Sequence, residues 1–167
     1  LKKKLYLIRH AKSSWKNISL DDFDRPLNKR GKNDAPIIGK LLKERINHID
    51  LIITSPAKRT AETARIIGKN MDYTKMILYD EKIYEASAND LLQIIRELDD
   101  KISNVLLVGH NPGLTDLVNY LSNEIISNIP TCGVVAIEFK NTWMDIKVKD
   151  GKITFFEYPK KYLGLQL

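Results

Sequence analysis

Two histidines in this chain are delivered by the same device, a strand followed by a loop. His10 ends the apolar run Leu5-Tyr6-Leu7-Ile8-Arg9-His10-Ala11 with an arginine directly before it, and His110 ends Val105-Leu106-Leu107-Val108-Gly109-His110. An arginine beside a strand-end imidazole can hold a phosphoryl group while the neutral ring nitrogen attacks it. Arg59, in Ser55-Pro56-Ala57-Lys58-Arg59-Thr60, supplies a second guanidinium. Guanidinium presents a rigid fork of donors and does not lose its proton. Two such forks and a second imidazole could surround the group and absorb charge during an in-line transfer. The same cations disfavour protonation of His10 and keep it nucleophilic. Either histidine taken singly has a plainer reading, a ring that bonds to nearby backbone.

These residues meet only if the chain brings them together, and its pattern does so. Residues 3–9, 51–53, 76–79 and 104–108 read as strands. Residues 34–46, a segment opened by Ser55-Pro56, residues 88–100 and 113–122 carry apolar residues at helical spacing. Asp34 is expected to cap the first helix, with Pro36 in its first turn, since a start near Asn28 would leave the proline inside. Ser55 is expected to cap the second, with Pro56 at its first position. Gly133–Phe139, Met144–Val148 and Ile153–Tyr158 read as further strands, and Asp150-Gly151 as a hairpin turn between the last two. Strands alternating with helices imply an α/β three-layer αβα sandwich, its central sheet mainly parallel with antiparallel edge strands. Open sheets of this kind gather ligands at the carboxyl ends of their strands. Arg9-His10, Arg59, Glu85 and His110 each follow one strand, so residues far apart in sequence can share one pocket. At 167 residues the chain is expected to form a single domain, 1–167.

Composition narrows the classes. No apolar stretch approaches the ~20 residues of a membrane span. Leu1-Lys2-Lys3-Lys4 resembles a signal-peptide start, but about four apolar residues follow before Arg9, too few for one. A soluble, cytoplasmic protein without a membrane partner is expected. Cys132, the only cysteine, excludes an intrachain disulfide and a cysteine-rich metal cluster, and its surroundings read as a buried strand rather than a nucleophile's. The net charge of +6 suits an anionic partner. Its lysines are scattered without interleaved aromatics, which argues against nucleic acid and for solvated helix faces with a modest positive field.

Four blocks then occur in order. They are Leu7-Ile8-Arg9-His10-Ala11, Asp24-Arg25-Pro26-Leu27-Asn28-Lys29-Arg30-Gly31, Ser55-Pro56-Ala57-Lys58-Arg59-Thr60-Ala61-Glu62-Thr63-Ala64 and Val108-Gly109-His110-Asn111-Pro112-Gly113. Together they resemble the histidine phosphatase superfamily, and within it the phosphohistidine phosphatases of the SixA type. The resemblance spans roughly residues 5–113. It implies a phosphoglycerate mutase-like fold, a covalent phosphohistidine on His10, a phosphate pocket of Arg9, Arg59 and His110, and no metal or other cofactor. Glu85, in Ile83-Tyr84-Glu85-Ala86-Ser87, lies where larger relatives place an acidic proton donor; a solvent-exposed loop glutamate is the competing reading. Lys12 and Arg25 could line the pocket mouth and meet substrate, and Asn17 lies near a polar position used by mutase-like relatives. Surface or capping roles compete for all three. His48 reads as ordinary surface.

Leaving-group chemistry bears on the substrate. Imidazole, whose conjugate acid has a pKa of roughly 6.5, leaves a phosphoramidate with little help, whereas an alkoxide needs a proton donor. The chain is short, with few residues between core elements to enclose a small molecule. These features favour phosphohistidine on a phosphorylated protein. A phosphomonoesterase acting on small phosphorylated molecules is the first alternative, and a non-catalytic phosphate-binding module the second.

Overall fold

The computed structural model describes residues 2–163. One sheet holds β1 (Lys3–Arg9), β2 (Leu51–Thr54), β3 (Ile77–Tyr79), β4 (Asn104–Gly109), β5 (Val134–Phe139) and β6 (Lys152–Glu157). Across it the order is β3-β2-β4-β1-β5-β6. The first four of these are parallel, while β5 runs antiparallel to both β1 and β6. A strand covered on both faces must be apolar throughout, and accordingly Leu5 to Ile8 and Val105 to Val108 are all buried. The two-residue period of β1 sends Leu5 and Leu7 to one layer and Tyr6 and Ile8 to the other.

Helices α1 (Lys29–Arg45) and α2 (Lys58–Asn70) pack Ala35, Ile38, Leu42, Ala64 and Ile67 on the Tyr6 and Ile8 side. Helices α3 (Ala88–Arg96) and α4 (Gly113–Leu121) pack Leu91, Ile95, Leu114 and Val118 on the other. A last turn of helix, α5 (Pro159–Leu163), follows β6. This is the expected three-layer α/β sandwich, a mainly parallel sheet with an antiparallel pair at one edge.

The pairing register positions the chemistry. Arg9 pairs with Gly109 across β1 and β4, so the next residue of each strand is a histidine and the two leave the sheet side by side. Thr54 pairs with Val108, and Ser55 N donates to the Val108 carbonyl at 3.1 Å, which sets Ser55 beside His110.

Several local expectations are corrected. Helix α1 starts at Lys29, capped by the Asn28 side chain, which accepts from Gly31 N at 2.9 Å. Pro36 lies inside it and gives up one N–H bond; the packed face of α1 compensates for that loss. Asp34 is therefore not a cap but a buried residue, with Arg30 one turn away at 3.5 Å. Helix α2 starts at Lys58, and Ser55 does not cap it. The Ser55 hydroxyl is committed to the preceding turn, accepting from Ala57 N at 3.3 Å, and to His110. Helix α3 ends at Arg96, short of residue 100.

Met144–Val148 forms no strand. Trp143 opens a 3-10 turn over residues 143–145 and anchors it by burial and by an Nε1 bond to the Ile102 carbonyl at 2.6 Å. Asp150-Gly151 is consequently no tight hairpin, because β5 and β6 are joined by a longer excursion. Gly151 is needed for close approach instead: a Cβ there would lie 2.4 Å from Ile137 Cγ2.

Gly31 serves the site in the same way. A Cβ on Gly31 would lie 2.2 Å from the Lys12 carbonyl oxygen, in the loop that follows His10. Backbone cannot swing aside as a flexible side chain would, so Gly31→Ala should cost about 1–3 kcal/mol. Urea unfolding measures this, and an unchanged midpoint would show that the loop after β1 is not clamped by α1.

Candidate active site

The rings of His10 and His110 lie 5.5 Å apart, centroid to centroid, at the carboxyl ends of β1 and β4. His10 Nδ1 contacts the Ala11 carbonyl at 2.7 Å. A carbonyl only accepts, so Nδ1 carries the proton and Nε2 keeps its lone pair. The loop that supplies this carbonyl is itself tied down, since Ala11 N donates to Thr63 Oγ1 on α2 at 3.0 Å. His110 Nε2 meets Ser55 Oγ at 2.8 Å. Ser55 is fully buried and its oxygen already accepts from Ala57 N. The oxygen could accept once more, but Nε2 is the only acceptor paired with its buried proton, so that proton goes to Nε2, which leaves the His110 proton on Nδ1.

Both rings are held neutral. Burial, opposed by the Ala11 bond and reinforced by the charges of Arg59, Arg9 and Arg25, brings His10 from 6.5 to about 4. Burial, with the charge of Arg59, that of His10 whenever it is protonated, and that of Arg9, brings His110 to about 3, although the Asp22 carboxylate pulls the other way.

Arg9 Nη1 donates to the Ile129 carbonyl at 3.0 Å. Arg59, on the first turn of α2, donates from Nη1 to the Asp22 carbonyl at 2.7 Å and from Nη2 to Asp22 Oδ2 at 2.9 Å. Three donors of these residues, Arg9 Nε, Arg59 Nε and His110 Nδ1, are buried without a partner in the protein. An unsatisfied buried donor costs roughly 1–3 kcal/mol. Three around one pair of imidazoles make a site that an oxyanion with several acceptor oxygens would complete.

The segment from Ser14 to Pro26 forms the rim. It is closed at its base by the Ser13–Leu27 bridge and by Ser14 N donating to the Pro26 carbonyl at 2.8 Å. Asp22 is its hub. Besides Arg59, its carboxylate accepts from the Tyr84 hydroxyl at 2.7 Å and from Arg25 Nε at 3.2 Å. Partial burial opposes ionisation of Asp22 but is outweighed by Tyr84, Arg59 and Arg25, which hold it down to about 2. Burial and the bond to Asp22 push Tyr84 up to about 12. The Tyr84 ring stands edge-on to both Phe23 and His110, at 5.1 and 5.5 Å.

The structure thus brings together Arg9, His10, Arg59, His110 and Arg25. Arg25 is buried rather than open at the mouth, stacked 3.4 Å from the Trp15 ring and bonded from Nη1 to Ser13 Oγ at 2.9 Å. Lys12 is exposed, and its backbone carbonyl accepts from Asn28 N at 2.9 Å. Glu85 is exposed, with a left-handed φ of 55°; its charge is felt at Tyr84, whereas the carboxylate felt at His110 belongs to Asp22. Asn17 is exposed and takes bonds from Ser19 in a local turn. His48 lies exposed against Asp50 at 2.6 Å. Sequence reasoning missed Asp22, Tyr84 and the role of Ser55. Asp22 and Tyr84 sit three residues before Arg25 and one before Glu85, positions that mark nothing until the rim is folded.

Among the described residues no cluster of three or more His, Cys, Asp or Glu side chains could hold a metal ion. No helix of the described residues is long and apolar enough to cross a membrane.

A family model described as the histidine phosphatase superfamily (branch 1) matches residues 5–104. An uncharacterized chloroplastic protein of Arabidopsis thaliana is 32% identical over 86% of this chain and 70% of its own length. A protein of Agrobacterium tumefaciens assigned as the phosphohistidine phosphatase SixA has a similar structure. Its TM-score is 0.81 at 28% identity, covering 94% of this chain and 98% of that one. A protein histidine phosphatase SixA complexed with tungstate shares the fold, with a TM-score of 0.83 at 17% identity over 95% of this chain and 99% of that one.

The depressed histidines give a stability signature. A ring with a folded pKa of about 4 or 3 and an ordinary value of 6.5 binds its proton first in the unfolded chain. Its contribution is complete above pH ~6.5 and is lost as pH falls toward the folded value. Urea unfolding from pH 7.5 to 4.5 should show a shallower loss of stability in His10→Gln than in the wild type. Parallel curves would mean that His10 is not held neutral.

Proposed function

The chain belongs to the histidine phosphatase superfamily (branch 1), and on that premise we propose that it hydrolyses phosphohistidine presented on another protein. The observation that carries the reading is the set of three unpaired buried donors, Arg9 Nε, Arg59 Nε and His110 Nδ1, beside the free lone pair of His10 Nε2. Each donor takes one phosphoryl oxygen. His10 Nε2 attacks phosphorus, and the bond to the substrate nitrogen breaks with its electron pair leaving on the departing imidazole. Water then attacks phosphorus, the bond to His10 Nε2 breaks, and phosphate departs with the remaining proton. The arginines stabilise charge on the equatorial oxygens throughout, which needs no metal or cofactor. Tungstate, held by the SixA structure of the same fold, is a tetrahedral oxyanion like phosphate.

Two features favour a protein substrate. The rim exposes Trp15 and Ile18, at 72% and 96%, together with part of Phe23, an apolar border that a macromolecule can cover. Asp22, ionised down to about pH 2, cannot donate a proton to an alkoxide. For ester substrates that task falls to Glu85, with the exposed Lys12 adding positive field. A cytoplasmic location goes with this reading, Cys132 being a free buried thiol suited to a reducing compartment.

The test is a side-by-side assay of a phosphohistidine protein and a panel of phosphate esters at equal enzyme, with chelator present. Phosphohistidine should turn over fastest, and His10→Ala should abolish turnover while the thermal transition persists. Faster ester hydrolysis, or activity without His10, overturns the reading. Ile18→Ser should lower kcat/KM on the protein substrate by roughly ten-fold, the size of a modest interface residue, while leaving free phosphoimidazole unaffected. Equal effects on both would remove the rim from partner contact. Glu85→Gln should impair alkyl phosphates far more than phosphohistidine, and equal losses would exclude Glu85 as proton donor.

A further inference from the structure

Asp22 does more than brace a loop, because its carboxylate disposes of the cations that a second anionic group would need. Both terminal nitrogens of Arg59 are tied to it, one donating to its carbonyl and one to Oδ2, so the guanidinium is pinned in place and turns its unpaired, buried Nε toward a ligand without freedom to swing. Arg25 is more fully consumed. Its Nε and Nη2 each lie 3.2 Å from Asp22 Oδ1, its Nη1 is held by Ser13 Oγ, and one face is covered by Trp15. The Tyr84 hydroxyl is likewise taken up, donating to Oδ2 at 2.7 Å. Both guanidiniums on this side of the pocket are anchored on Asp22, so neither can turn to meet a carboxylate attached to the substrate. Meanwhile the Asp22 side chain is 48% exposed, so its carboxylate remains open to a group that enters past the rim.

Resting on the reading of the site as a phosphohistidine phosphatase, we propose that Asp22 is a specificity-determining residue. It accepts a hydrogen bond from the second ring nitrogen of the departing imidazole and repels substrates that carry a carboxylate next to the phosphoryl group. An imidazole phosphorylated on one nitrogen carries a proton on the other when it is cationic. That proton is the only donor the leaving group has, and a carboxylate is its strongest acceptor. In the transfer the phosphorus–nitrogen bond breaks and its electron pair stays on the ring. The ring retains the proton facing Asp22 and departs as neutral imidazole, while the positive charge moves to His10 as its Nε2 bonds phosphorus. Asp22 is not consumed or protonated in this step. It stabilises the cationic substrate and so disfavours departure as imidazolate, a much poorer leaving group. Phosphate esters with an adjacent carboxylate meet the same charge as repulsion and find Arg25 already occupied.

The experiment compares wild type, Asp22→Asn and Asp22→Glu on three substrates: phosphohistidine, phosphoserine, and an alkyl phosphate without a carboxylate. Asp22→Asn keeps an acceptor but removes the charge. One unit charge near a protein surface is worth on the order of ten-fold. In Asp22→Asn, kcat/KM for phosphohistidine should therefore fall about ten-fold relative to the alkyl phosphate, and that for phosphoserine should rise by a similar ratio. Asp22→Glu, which keeps the charge, should preserve the wild-type order of preference even if its rates drop. A bracing role alone would lower all three substrates together and leave both ratios unchanged, which overturns the proposal.

The phosphoserine arm is independent of the activity assignment. If the wild type ignores phosphohistidine, the function proposed above fails. Competition between phosphoserine and inorganic phosphate, read as shifts of the histidine resonances, then still decides whether Asp22 excludes carboxylates. Unchanged relative affinities in Asp22→Asn would refute that exclusion.

Discussion

The arrangement depends on the hydrogen-bonded register between two central parallel strands. Pairing Arg9 with Gly109 makes the next residue on each strand a histidine, and the rings emerge on adjacent strand ends. A strand has a side-chain period of two, so a slip of one residue would exchange Leu7 and Ile8 between the two helical layers and carry His10 away from His110. The register is held because both faces are buried. Leu5 and Leu7 are fixed among α3 and α4, and Tyr6 and Ile8 among α1 and α2. The core of the sandwich and the geometry of the site are thus one constraint.

Around that pair the electrostatics are set against protonation. Two imidazoles are buried beside Arg9, Arg59 and Arg25, and each cation raises the cost of charging a ring. The hydrogen-bond partners then choose which nitrogen is free. The Ala11 carbonyl takes the His10 Nδ1 proton, and the Ser55 hydroxyl fills His110 Nε2. One ring is left with an outward lone pair and the other with an outward N–H. A nucleophile and a donor made from the same residue type differ only in their neighbours. The three unpaired donors of the pocket are local destabilisation that the two apolar layers must offset.

Of the three aspartates in the rim, Asp22 is the one whose carboxylate meets the arginines of the site. Asp22 gathers Arg59, Arg25 and Tyr84 and ties a thirteen-residue excursion, 14–26, to α2 and to the segment before α3. Without that tie Arg59 would lose the partner that fixes its plane. A guanidinium held rigid by its terminal nitrogens presents Nε in one direction, which favours an oxyanion of one size and position.

The sequence by itself determined the sandwich and the participants whose roles follow from a strand end. Alternating apolar runs and helical periods specify the layers, and Arg9-His10 and Gly109-His110 are legible because a strand must deliver its next residue to the sheet edge. Helix starts were less legible, since Asn28, Asp34 and Ser55 are all competent caps and only packing selects among them. Packing also turned Met144–Val148 into a 3-10 turn, because Trp143 found a buried slot beneath Ile102. Only the tertiary structure decided the tautomers of the two histidines, the closing of Arg25 by Trp15 and Ser13, and the place of Asp22. Those outcomes come from contacts between residues remote in sequence. Their energies depend on burial and on short distances that no local pattern encodes.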